Sequence, residues 1–172
     1  MVLTFVCYLA IIVRYHTNLQ GRPVQDLDDT ENHSIGVWTK RCYFAGRAVM
    51  DERLRPFDLG STQWYVLWYL VNNGSSVQRD LGRALELERA TLSGIVATLV
   101  RKGLVAQTAN DGDQRHRQLT LTAAGEALWY TIPDLSFIHD AAFGGIDEAD
   151  LATTIRVLKS ATERLQTLLR KD

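Results

Sequence analysis

From Trp38 onward the apolar residues recur at helical spacing. Trp38, Cys42, Ala45, Val49, Leu54 and Phe57 fall on one stripe, with Lys40, Arg47 and Asp51 elsewhere, and Pro56 marks the end of this first helix. Ser61-Thr62 offers an N-cap for a second helix through Trp64–Val71, which Asn72-Asn73-Gly74 stops. That run is apolar on all sides, so its period alone does not separate helix from strand. The cap and the terminal glycine favour a buried helix. Ser75-Ser76 then caps a short helix to about Leu85, and another runs from about Glu88 to Lys102. Beyond it the period changes from 3.6 to 2. Arg117–Thr122 alternates long or apolar residues with short polar ones, and Asn110-Asp111-Gly112-Asp113 before it is a turn signal. Thr122 caps a longer helix, interrupted or kinked at Pro133. Phe143-Gly144-Gly145 breaks the chain, and Asp147 with Asp150 starts a final helix with Leu151, Ile155, Leu158, Leu165 and Leu168 or Leu169 on its apolar stripe.

A helix-turn-helix followed directly by a hairpin tip carrying Arg115, His116 and Arg117 is a winged helix. The pattern Asp113-x-Arg115-x-x-x-Leu119-x-Leu121-Thr122-x-x-Gly125 resembles the wing signature of the multiple-antibiotic-resistance regulator (MarR) family. The run Leu99-Val100-Arg101-Lys102-Gly103-Leu104-Val105 is similar to the end of that family's recognition helix. The resemblance extends from about Trp38 to the C-terminus. The expected fold is mainly α with a small β-wing: a winged helix-turn-helix whose N- and C-terminal helices form a dimerisation lobe. The expected divisions are an N-terminal extension and linker at 1–36, a helical dimerisation region at 37–58 and 123–172, and the DNA-binding region at 59–122. The first helix and the last two have no sheet to cover, so their stripes must be buried on each other or on a second subunit. The resemblance implies a two-fold homodimer presenting two recognition helices and two wings to double-stranded DNA about one helical turn apart, on a pseudo-palindromic site.

A recognition helix enters the major groove with its first turns, which makes Arg89, Thr91, Leu92, Ser93 and Val96 the base-facing candidates. Arg89 suits guanine O6 and N7, Thr91 and Ser93 suit base edges or phosphates, and Leu92 suits a thymine methyl unless it is core. Ser75, Ser76 and Gln78 sit where the preceding helix starts, a place suited to phosphate. Arg115 on the wing suits the minor groove, with Arg117 beside it, and Asp113 is expected to hold Arg115 or the wing backbone in place. Two departures from the family pattern bear on affinity. Ser or Thr is usual where Glu88 stands, and a basic residue is frequent where Gly94 and Thr98 stand.

Charge adds little in total and more in its distribution. The 172 residues carry a net charge of −1, but residues 77–121 hold seven Lys/Arg against five acids. The hydrophobic fraction of 46% is ample for a core. Val2–Val13 is apolar apart from Thr4, yet about 20 residues are needed to span a bilayer, and neither a preceding basic residue nor a cleavage site suggests a signal peptide. No membrane association is expected, and the cytoplasm is the expected location. Cys7 and Cys42 have no disulfide or metal-ligand spacing, and the four histidines are scattered. With no phosphate-binding glycine loop or nucleophile elbow either, an enzyme, a metal site and a cofactor are not expected.

The resemblance also implies a small aromatic or phenolic effector bound between the dimer helices and the DNA-binding lobe. Trp64, Tyr65, Trp68 and Tyr69 form a dense aromatic patch that either walls such a pocket or is core, and Arg41, Arg47 and His33 are the nearest partners for a carboxylate. The expected function is therefore a dimeric transcription regulator, repressing rather than activating, released by such a ligand. The alternatives are a thiol-oxidation sensor acting through Cys42, which is expected on the apolar stripe, and a winged helix used only for protein contacts.

Overall fold

The computed structural model describes residues 34–110 and 113–169, of which 109, 110 and 113–116 by their backbone alone. The N-terminal extension up to His33, including the apolar run Val2–Val13, lies outside the described residues. The chain divides into two compact units, one ending at Asp134 and one beginning at Leu135.

The first unit opens with α1 (Ile35–Leu54), which a 3-10 turn at Arg55–Phe57 continues around Pro56. Asp58 closes the turn in the left-handed region at φ 52°. Helix α2 spans Ser61–Asn73. Its start differs from the expected cap: Gly60 is the N-cap, and Ser61 is already helical, buried, with its N–H donated to Asp51 Oδ1 at 2.6 Å. The cap for this helix therefore comes from α1, ten residues earlier in the chain, which no local pattern records. Gly74 ends α2 at φ 73°, where a β-carbon would be strained.

Strand β1 (Ser76–Val77) follows, then α3 (Gln78–Ala84) and α4 (Arg89–Arg101). The expected cap at Ser75-Ser76 is thus replaced by a strand: Ser76 pairs with Leu119 and Val77 with Gln118. Helices α3 and α4 cross closely at Gly82, where a β-carbon would sit 3.2 Å from Leu92 Cδ2. Strands β2 (Val105–Asn110) and β3 (Asp113–Leu121) complete an antiparallel sheet in the order β1-β3-β2. Pairing runs regularly from Val105↔Leu121 to Ala109↔Arg117 and then jumps to Asn110↔Asp113. One step on β2 is matched by four on β3, so Gln114, Arg115 and His116 have no place in the ladder. This is a bulge on the outgoing strand of the wing.

Thr122 caps α5 (Ala123–Trp129), accepting from Gly125 N–H at 3.0 Å and donating to Gly103 O at 2.6 Å. Gly125 is buried, and a β-carbon there would collide with Leu104 O and lie 2.7 Å from Leu121 Cδ2. The glycine of the wing signature is thus fixed by the close passage of α5 over the base of the wing. The core lies between α2, α3, α4 and the sheet, with Leu67, Leu81, Leu99 and Leu119 fully buried.

The longer helix expected from Thr122, interrupted or kinked at Pro133, is interrupted. Helix α5 stops at Trp129, four residues ahead of Pro133, and α6 (Phe137–Phe143) begins in the second unit. Gly144 and Gly145, the latter at φ 82°, separate α6 from α7 (Glu148–Leu169). Asp147 Oδ1 accepts from Ala149 N–H at 2.8 Å, so the expected acidic start is present. No helix among the described residues is long and apolar enough to cross a membrane.

Candidate nucleic-acid interface

Helix α4 is two-faced. Leu92, Val96 and Leu99 point inward, while Arg89, Thr91, Ser93, Gly94 and Ala97 are exposed. Leu92 is 2% exposed, so its assignment to a thymine methyl is corrected: it packs in the helix-turn-helix core, and so does Val96. The turn entering α4 has Glu86 at φ 51° and is closed by Leu87 N–H to Gly82 O at 2.9 Å. Glu88 is the N-cap of α4 and makes no side-chain cap bond. The helix ends where Gly103 turns left-handed at φ 71° and Leu104 N–H reaches back to Leu99 O.

Four side chains from four elements line up across this surface. Arg117 Nη1 on β3 donates to Gln107 Oε1 on β2 at 3.3 Å. Gln107 Nε2 donates to Gln78 Oε1 at the start of α3 at 3.2 Å. Gln78 Nε2 donates to Ser93 Oγ on α4 at 3.0 Å, and Ser93 Oγ donates to Arg89 O at 2.8 Å. Gln78, Arg89, Ser93 and Arg117 are thus brought to one surface, with Thr91 on the same exposed turn of α4. Ser76 is held apart from them in the sheet, while its neighbour Ser75 shares a hydrogen bond with Thr120 Oγ1 at 2.8 Å. The side chains of Asp113 and Arg115 lie outside what is described; their backbone belongs to β3 near the bulge.

The aromatic patch is half-buried rather than buried all round. Trp64 meets Tyr65 edge-on at 5.2 Å, stacks near Trp68 at 6.5 Å, and approaches Trp129 of α5 at 5.4 Å. Burial pushes the Tyr65 hydroxyl pKa upward, Tyr43 adds to the rise, and Arg47 opposes it. Arg47 also pairs with Asp51 at 3.6 Å. Arg41 is placed elsewhere, its guanidinium 5.1 Å from the Trp38 ring centre, and Tyr69 is half-buried further along α2. Cys42 is exposed, as are Trp38 and Val49 of the same stripe.

The MarR family model matches residues 57–116, which hold the helix-turn-helix and the first part of the wing. The transcriptional repressor NicR of Pseudomonas putida is 25% identical over 144 residues, covering 83% of this chain and 91% of NicR. Among solved structures, Bordetella bronchiseptica BpsR, described for the regulation of its DNA binding by 6-hydroxynicotinic acid, is 26% identical with a TM-score of 0.65. That match covers 74% of this chain and 98% of BpsR. A mutant of E. coli MarR complexed with operator DNA shares the fold at a TM-score of 0.68 and 22% identity, over 77% of this chain and 96% of that one. This chain belongs to the MarR family. It is a winged-helix transcription regulator and not an enzyme.

As a MarR-family protein it departs from the usual pattern at the N-cap of α4 and at two positions within that helix. Thr98 donates to Gly94 O at 3.0 Å and accepts from Arg101 at 3.5 Å, so its hydroxyl is occupied within its own helix. Gly94 faces open space. Glu88 puts a carboxylate at the N-terminal end of the recognition helix, where it favours the helix dipole and repels phosphate. The residue missed by sequence reasoning is Gln107. Strand alternation on β2 places it on one face, but only the β2–β3 register shows that Arg117 and Gln78 lie within its reach.

Proposed function

We propose that this regulator works as a homodimer on a pseudo-palindromic operator, as a repressor released by a small aromatic hydroxy acid. The observation that carries the DNA-reading part is the sorting of α4. Leu92, Val96 and Leu99 pack in the core, which leaves Arg89, Thr91 and Ser93 outward at the end that would enter a major groove. Gln78 would hold phosphate at the start of α3, and Arg115 with Arg117 would serve the wing, with Asp113 ordering it. Exposed apolar residues on α1 and α7, among them Trp38, Val49, Leu165 and Leu168, support burial against a second copy. In this arrangement residues 59–122 read DNA, and the flanking helices associate. The decisive experiment is titration of the protein with duplexes from its own genomic neighbourhood at several salt concentrations. A regulator loses affinity steeply as salt rises while keeping a preferred sequence; a protein-contact module shows neither.

The ligand part rests on Tyr65, Trp64, Trp68 and Arg47. A half-buried aromatic wall, a tyrosine hydroxyl whose pKa burial raises, and a neighbouring guanidinium suit a planar acid bearing a hydroxyl. BpsR, whose DNA binding responds to 6-hydroxynicotinic acid, is consistent with that class. Release requires the ligand to prefer the dimer geometry that mismatches the groove spacing. Titration of hydroxybenzoates and hydroxynicotinates, followed by tryptophan fluorescence with and without operator, tests it; no quenching by any of them sinks the idea. A second reading, thiol oxidation, requires that Cys42, exposed on the α1 stripe, stays open to solvent in the dimer. Peroxide would then release operator from the unmodified protein but not from Cys42→Ser.

A further inference from the structure

The side-chain line from Arg117 to Ser93 has a direction imposed by its first member. A guanidinium only donates. Arg117 therefore requires the oxygen end of the Gln107 amide, which turns the Gln107 NH2 toward Gln78. Gln78 in turn must meet that donor with its oxygen, which aims its own NH2 at Ser93. The Ser93 hydroxyl accepts from Gln78 and gives its single hydrogen to Arg89 O. One lone pair is left, and no hydrogen. The central Gln107–Gln78 bond is part-buried, so this link is less open to competition from water than its two ends.

We infer that Arg117, Gln107 and Gln78 act as a polarity relay that fixes Ser93 as an acceptor-only reader of the major groove. Ser93 then selects adenine or cytosine, whose N6 or N4 amine donates, over guanine or thymine on the strand it faces in each half-site, and refuses phosphate oxygens, which also only accept. Arg117 and Gln107 are positioning residues here, acting on the base through Ser93. The relay rests on the reading of α4 as the recognition helix.

The test is selection of bound duplexes from a randomised pool, scored base by base, with unfolding midpoints as the check on folding. The unmodified protein should favour adenine or cytosine over guanine or thymine on one strand at one pair per half-site by roughly fivefold, the scale of one hydrogen bond. Ser93→Ala and Gln107→Leu should both flatten that same pair, and the double variant should be no flatter than Ser93→Ala alone. Gln107→Glu keeps the shape and the acceptor for Arg117 but removes the donor to Gln78, and should flatten it too. Arg117→Lys, still a pure donor, should retain the preference, whereas Arg117→Met should lose it. Should the preference survive in Gln107→Leu and Gln107→Glu while Ser93→Ala loses it, the relay is overturned and Ser93 reads alone. A preference that separates A·T from G·C pairs, whichever strand carries the amine, overturns it as well. No base preference in the unmodified protein overturns the relay together with the DNA-reading function.

Discussion

Helices α4 and α7 both carry apolar residues at helical spacing, and only one of them is covered. In α4, Leu92, Val96 and Leu99 are sealed beneath α3 and the sheet, Leu99 being 0% exposed. In α7, Ile155, Leu165 and Leu168 are open, Leu165 being 50% exposed. A stripe therefore reports that a helix has an apolar face and says nothing of who covers it. Helix α1 contains both cases. Its last turns bury Met50 and Leu54, while Trp38 near its start and Val49, next to Met50, are exposed. The covered stripes build the DNA-reading unit, and the open ones mark where a second copy is expected.

The same substitution placed in each stripe separates the two cases. Leu99→Ala should cost about 2–5 kcal/mol, as buried leucine truncations do, and the loss should not depend on protein concentration. Leu168→Ala should cost less than about 0.5 kcal/mol in dilute protein, with a larger loss emerging only where subunits associate. Urea unfolding at two protein concentrations reads both. An equal, concentration-independent loss at Leu168 would mean that α7 is covered within its own chain. The charged pair Leu165→Glu and Leu168→Glu takes the contrast further. Sedimentation should show monomer, with operator binding lost and the helical content of the winged-helix unit retained.

Sequence reading recovered the elements whose signals are local. The glycine stop of α2, the Thr122 cap and the alternating residues of β3 each depend on a few neighbours in the chain, while Asp111 and Gly112 of the expected wing turn lie outside the described residues. Elements made by distant partners were missed. Strand β1 is two residues long and exists because Leu119 and Gln118 pair with it. Ser61 is read as a cap only while Asp51, which supplies the real acceptor, is out of view. The reading surface divides in the same way. Arg89, Thr91 and Ser93 follow from the helix period, whereas the burial of Leu92 depends on Gly82 letting α3 come close. Gln107 carried no signal before the register was known.

A smaller effect probes the outward face of α4 directly. Arg89→Ala should relax preference at one base pair per half-site by about 1–3 kcal/mol, the range for a bidentate arginine–guanine contact, and leave stability nearly unchanged. Its side chain is exposed, so little packing is removed. Selection of bound duplexes from a randomised pool is the readout. An unchanged preference would mean that a different turn of α4 enters the groove.

A last contrast sets against each other two glycines in helices on either side of the wing. Gly94 lies on the exposed face of α4 with nothing within 4 Å of where a β-carbon would be. Glycine inside a helix is less stable than alanine by about 1 kcal/mol, because the unfolded chain gives up more freedom. Gly94→Ala should therefore raise stability by up to about that amount, or a few degrees in unfolding midpoint for a domain of this size. Gly125→Ala should act in the opposite sense despite the same helix-propensity gain. Its methyl would meet Leu104 O and Leu121, and backbone cannot yield as a flexible side chain can. Thermal unfolding of the two variants side by side decides the matter. If both gain stability, the close passage of α5 over the base of the wing is wrong; if both lose it, the outer face of α4 is covered by something in its own chain.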